Sequence, residues 1–129
     1  MEKLIQELTN SLKIIETFDK DSAQDGQALH EYLIHLSNIQ ARANFLMAEY
    51  KRKVRQAKKQ AYADLVKSYH TKNEYYAPSL AKDYVDACTS DVAFIYDLSE
   101  RLSRSCTHTQ DAVRTIVSSL KSERQFANY

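Results

Sequence analysis

Glycine and proline are almost missing from this 129-residue chain, which holds one of each, Gly26 and Pro78. Ordinary proteins carry roughly 7% and 5%. Tight hairpin turns need residues that accept a positive φ, so sheets built from such turns are excluded. The same shortage excludes a glycine-rich phosphate loop, in which the backbone itself approaches a pyrophosphate. Tryptophan is absent and there are only four phenylalanines, so nine tyrosines supply most of the aromatic mass. No run approaches 18 apolar residues, and no membrane-spanning helix is expected. The N-terminal residues lack an apolar h-region, so no signal peptide is expected. The two cysteines, Cys88 and Cys106, stand 18 residues apart. On one helix that separation is ~27 Å, too far for a bridge. They are expected to be reduced core thiols in a cytosolic protein.

Good helix formers dominate what remains. Leu4, Ile5, Leu8, Leu12, Ile15 and Phe18 recur on one helical face and predict a first helix over residues 2–18. The stretch from Asp19 to Gly26 is rich in turn and cap residues, with Ser22 or Asp25 suited to cap the next helix. Leu29, Leu33, Leu36, Gln40, Ala43, Met47, Tyr50, Val54, Ala57 and Ala61 then keep a 4-3-4-3 rhythm with no breaker. This predicts a helix over residues 25–70, ~60 Å long. After a polar turn, Pro78 opens a third helix over residues 78–124. Its expected seam is Tyr84, Cys88, Val92, Ile95, Leu98, Leu102, Cys106, Thr109, Val113, Ile116 and Leu120.

The fold class is therefore all-α, and residues 1–129 read as a single domain. Two long helices form an antiparallel hairpin and a shorter N-terminal helix covers part of it. Such a hairpin leaves apolar surface open, so the coiled-coil-like bundle is expected to be completed by oligomerisation, as a dimer or higher homo-oligomer.

Formal net charge is only +1, but the charges are segregated. Residues 1–31 hold seven acids and three lysines, whereas residues 51–67 hold seven bases and Asp64 alone. If the turn centres near Glu74, facing residues have numbers that sum to about 148. Lys51 then lies near Asp97, and Asp83, Asp86, Asp91 and Glu100 also face the basic stretch. Salt bridging and a solvated face would account for the stretch without any ligand. The functional alternative is a phosphate-binding surface made by Lys51, Arg52, Arg55, Lys58, Lys59 and Lys67, with Tyr50, Tyr62 or Tyr69 for stacking.

A second candidate lies further along the third helix. Arg101, Arg104 and His108 share one helical face, with Thr107 and Arg114 beside them. The register rule brings this face towards Gln40, Asn44 and Met47. Polar residues in such a seam often do no more than fix register. Arginine forks with a histidine and a threonine also suit phosphate or carboxylate. An anion site of Arg101, Arg104, Thr107, His108, Arg114, Asn44, Tyr50 and Lys51 is the expectation, formed at a helix or subunit interface. No His-x-x-x-His or Glu-x-x-His pair occurs among the four histidines, and no nucleophile elbow appears. No metal, no cofactor and no catalytic residue is expected, and the chain reads as a binding protein rather than an enzyme.

Two segments carry a resemblance. Ala41-Arg-Ala-Asn-Phe-Leu-Met-Ala-Glu-Tyr-Lys51 is one. The other is Ala77-Pro-Ser-Leu-Ala-Lys-Asp-Tyr-Val-Asp-Ala87, continuing through Asp97 to Arg114. Together they resemble small helical proteins of bacteriophages and prophages, mostly of unassigned function, which implies a cytoplasmic phage-type protein. The Thr107-His108 step followed by Ala112 also looks like the helical phage proteins that sequester cyclic nucleotide immune signals, the sponges of anti-CBASS and anti-Thoeris type. That likeness implies a homo-oligomer holding a phosphate-bearing nucleotide. The alternatives from the residues are a nucleic-acid-binding accessory factor of phage replication or recombination, and a structural coiled coil that docks a host protein. None of these involves a membrane.

Overall fold

The computed structural model describes residues 1–18 and 26–127. Within them the chain forms three helices and no strand: α1 (Glu2–Glu16), α2 (Gly26–Lys72) and α3 (Pro78–Ala127). The all-α class read from missing glycine and proline holds. Both long helices run two or three residues past their expected C-terminal limits. The cap expected at Ser22 or Asp25 lies outside the described residues. No described helix is long and apolar enough to cross a membrane.

Breaks come where the sequence supplies a stop. Thr17 closes α1 by donating its hydroxyl to the Lys13 carbonyl at 2.7 Å. Past Lys72, Asn73 takes φ 54°, the left-handed conformation in which a helix commonly ends. Asparagine tolerates that conformation better than other residues with a side chain. Pro78 is the first residue of α3, where its missing N–H removes no helical bond. The Ala81 amide donates to the Ala77 carbonyl at 2.9 Å and starts the ladder.

Two compact units share these helices. Unit 1 comprises residues 1–45 and 98–129, and unit 2 comprises residues 46–97. In unit 1, Leu8 and Ile15 of α1 are buried, as are Leu29, Leu36, Ile39 and Ala43 of α2 and Leu102, Cys106 and Val113 of α3. Phe18 stacks on Tyr32 with ring centroids 4.1 Å apart. Arg42 reaches Glu7 through two hydrogen bonds of 2.9 and 3.4 Å. That forked pair is half exposed, so it contributes under about 1 kcal/mol, and apolar burial holds α1 in place. The Tyr32 hydroxyl has no hydrogen-bond partner among the described residues, and burial raises its pKa.

Unit 2 is a two-helix hairpin. Its core is Leu46, Tyr50 and Ala61 from α2 against Val85, Thr89 and Ile95 from α3. The α2 seam follows the expected rhythm closely. The α3 seam follows it from Val92 onward but not before. Tyr84 and Cys88, expected inside, are exposed, while Val85 and Thr89 are buried in their place. The expectation of two core thiols is therefore corrected: Cys106 is buried and Cys88 is not, and both are free. The reason is the phase of the apolar stripe. Val85 and Thr89 carry the inward face one position later than Tyr84 and Cys88 would, and the expected seam resumes at Val92. A two-helix unit also leaves large apolar side chains in solvent, among them Val66, Leu80 and Phe94.

Asn73 yields a direct check on the turn. Asn73→Gly should keep or slightly raise stability, whereas Asn73→Val should lower it by about 1–2 kcal/mol, since a β-branched residue is penalised at positive φ. Urea unfolding followed by circular dichroism reads the difference.

Candidate nucleic-acid interface

The basic stretch lies on α2 within unit 2, and its cations do not all behave alike. Lys53 bends over the Tyr50 ring, its ammonium 4.6 Å from the centroid, and pairs with Glu49 at 3.4 Å. Lys51, Arg55 and Lys58 instead line one open groove of about 220 Å³ with Val54 and Tyr96. No carboxylate lines it. None of the three makes an ion pair within 4.0 Å among the described residues, nor do Arg52, Lys59 and Lys67. The interhelical pairs suggested by the register rule, Lys51 with Asp97 among them, do not form. Asp64, the lone acid of the stretch, falls on the far side of the helix. There it accepts a hydrogen bond from Gln60 at 3.0 Å and acts on Tyr84 of α3.

Helical spacing explains the segregation. At about 100° per residue, Lys51, Arg55, Lys58, Tyr62 and Tyr69 fall within an arc of about 60°. The face begins in cations and ends in aromatics. Its aromatic end forms a second groove of about 430 Å³, walled by Tyr62, Leu65, Val66 and Tyr69 of α2 and by Tyr75 and Tyr76 of the turn. Tyr50, expected as a stacking surface, is only 4% exposed. It occupies a seam position, so its ring is spent on the core. This corrects its assignment to both candidate sites.

The second candidate site lies mainly in unit 1. Arg101, Arg104 and His108 do share a face, but it is the face opposite the buried Leu102, Cys106 and Val113. Arg104 is 74% exposed and bonds Glu100 at 2.6 Å. Arg114 reaches Asp111 at 3.6 Å. Thr107 and Asn44 are exposed at the edge of the seam and engaged there. Gln40 donates to the Thr107 hydroxyl at 2.7 Å and to the Ser103 carbonyl at 3.3 Å. Ser103 donates to the Asn44 carboxamide oxygen at 2.6 Å. The two side-chain contacts, Gln40–Thr107 and Asn44–Ser103, run one residue short of the expected register, which turns Arg104 and His108 outward and sets Ser103 and the exposed Thr107 along the edge of the seam. His108 lines a different, largely apolar cavity of about 280 Å³ with Ile15, Phe18 and Ala112. Lys51 and Tyr50 belong to unit 2.

Sequence reasoning missed Tyr96, although the register rule sets it opposite Arg52 and so beside Lys51 and Arg55. It also missed Tyr75 and Tyr76, which carry no helical periodicity because they sit in the turn. No group of three or more metal-ligating side chains gathers among the described residues.

If the Asn44–Ser103 contact is a register-setting bond, a double-mutant cycle to alanine should give a coupling of about 0.5–3 kcal/mol. The exposed Arg104–Glu100 pair should give under about 1 kcal/mol. The reverse order in thermal-denaturation data would return Arg104 to a structural role and free Asn44 for ligand. In comparison with known proteins, no family model, no curated protein and no solved structure matches the chain.

Proposed function

We propose that this chain is a non-enzymatic nucleic-acid-binding protein whose phosphate contacts come from the Lys51–Arg55–Lys58 groove of unit 2. One observation carries the reading: three cations line a single groove with Tyr96, without a carboxylate and without ion-pair partners among the described residues. Surface lysines and arginines near acids usually pair or point apart. A groove that gathers them unpaired keeps a local positive potential, and a phosphate backbone supplies the complementary charge. Arg52, Lys59 and Lys67 are exposed on the same helix and extend the positive field.

The nucleotide-sequestering reading places its anion site at Arg101, Arg104, His108 and Arg114. It has less support, because Arg104 and Arg114 already have acidic neighbours. A cyclic nucleotide would find more unpaired positive charge at Lys51, Arg55 and Lys58. Self-association remains part of the proposal. Leu80, Tyr84 and Phe94 share one exposed face of α3, turned away from Tyr96, so two copies joined there leave the groove open. Light scattering should give a mass of at least two chains, and Phe94→Glu should reduce it. A monomeric mass for the unsubstituted protein removes this part.

The groove is tested by anisotropy with a labelled oligonucleotide across a salt series. If the three cations each neutralise one phosphate, log K against log salt should fall with a slope of about −2. Charge reversal at Lys51, Arg55 or Lys58 should weaken binding, and each alanine should flatten the slope by ~0.7. These side chains lie at the surface, so stability should change by about 0.5 kcal/mol or less. Binding that ignores salt and all three substitutions overturns the proposal. Displacement of the oligonucleotide by a cyclic dinucleotide at lower concentration would shift the function to nucleotide sequestration.

A further inference from the structure

We infer that the tyrosine groove at the turn of unit 2 takes an unpaired nucleobase, so that the nucleic acid bound is single-stranded. The inference rests on the phosphate-groove reading above and adds a second site to it. The two grooves are consecutive on one face of α2. Tyr62 follows Lys58 by four residues, one helical turn or ~6 Å along the axis. A strand whose phosphates lie against Lys51, Arg55 and Lys58 therefore brings its next bases to Tyr62 and Tyr69.

The lining fits a base better than a phosphate. Tyr62 is 53% exposed and Tyr75 77%, so broad ring faces stand in solvent rather than in the core. Aromatic faces held in solvent are suited to stacking, and base–tyrosine stacking tolerates any sequence. The one carboxylate of the groove is Glu74, whose oxygen accepts a hydrogen bond from the Tyr76 hydroxyl at 3.2 Å. That bond holds the Tyr76 proton and raises its pKa. A carboxylate repels phosphate but accepts hydrogen bonds from the amino edge of a base. His70 stands against the Tyr69 ring edge-on at 5.4 Å and adds a second polar group. A volume of about 430 Å³ lies within the usual range for a small organic group. In a duplex the bases are paired and stacked on one another, so none can enter without unstacking. The cation groove alone would not distinguish single strands from duplexes. The tyrosine groove does.

The experiment compares three probes of equal length and label: a single strand, the same strand with abasic sites in place of its bases, and the duplex. The full chain is titrated with each across one salt series, alongside Tyr62→Ala, Tyr62→Phe and Lys58→Ala. The single strand should bind about tenfold tighter than the abasic strand, the factor expected of one stacked base. Tyr62→Ala should remove that preference while leaving the salt slope unchanged, and Tyr62→Phe should retain it. Lys58→Ala should flatten the slope while leaving the preference intact. Equal affinity for the base-bearing and abasic strands, with salt-dependent binding intact, overturns the base site and leaves the phosphate groove standing. Absence of binding to all three probes overturns both. Circular dichroism of each variant confirms that the exposed Tyr62 can be replaced without loss of the helices.

Discussion

Everything in unit 2 depends on where α2 stops. The chain has no glycine after residue 26, so the stop must come from a residue that carries a side chain. Asn73 provides it at φ 54°, and Pro78 restarts the helix after a five-residue connection. Once both ends of the turn are fixed, the heptad rhythm decides which residues of α3 meet which of α2. Tyr96 then arrives beside Lys51 and Arg55, and Tyr75 and Tyr76 arrive beside Tyr62 and Tyr69. The grooves are consequences of register, and register here is a consequence of one backbone conformation.

In unit 1 a set of polar contacts does the corresponding job. Gln40, Asn44, Ser103 and Thr107 bond across the α2–α3 seam, in a region otherwise closed by leucine, isoleucine and alanine. Each such bond contributes only about 0.5–1.5 kcal/mol net. Its larger effect is on register, because sliding one helix by a residue breaks these bonds together. Apolar side chains alone tolerate such a shift far better.

The fold was legible because it rests on two strong signals. Scarcity of glycine and proline leaves few alternatives to helices, and the seam rhythm of α1 and α2 runs without a breaker, with Gln40 its one polar member. Tyr84 and Cys88 misled the reading of α3. Their alternation matches a heptad as well as Val85 and Thr89 do, and a threonine at a seam position carries little apolar signal. The basic stretch was visible in the sequence, but its pairing state was not. Whether Lys51 meets Asp97 depends on the direction of two flexible side chains, and spacing resolves that only to within a turn. The arginines of α3 failed to converge for a related reason. A one-residue shift is invisible in a periodic pattern, yet it rotates a side chain by about 100°.

Unit 1 is built from both ends of the chain, and unit 2 is the middle segment returned by its turn. Residues enter unit 2 at 46 and leave it at 97, within helices in both cases. Removing or adding one heptad on each helix of unit 2 would rotate the remaining faces by only about 20°. The hairpin's own length can therefore change in steps of two helical turns with little change in which of its residues face each other, and the number of phosphates its cationic face could contact would change with it.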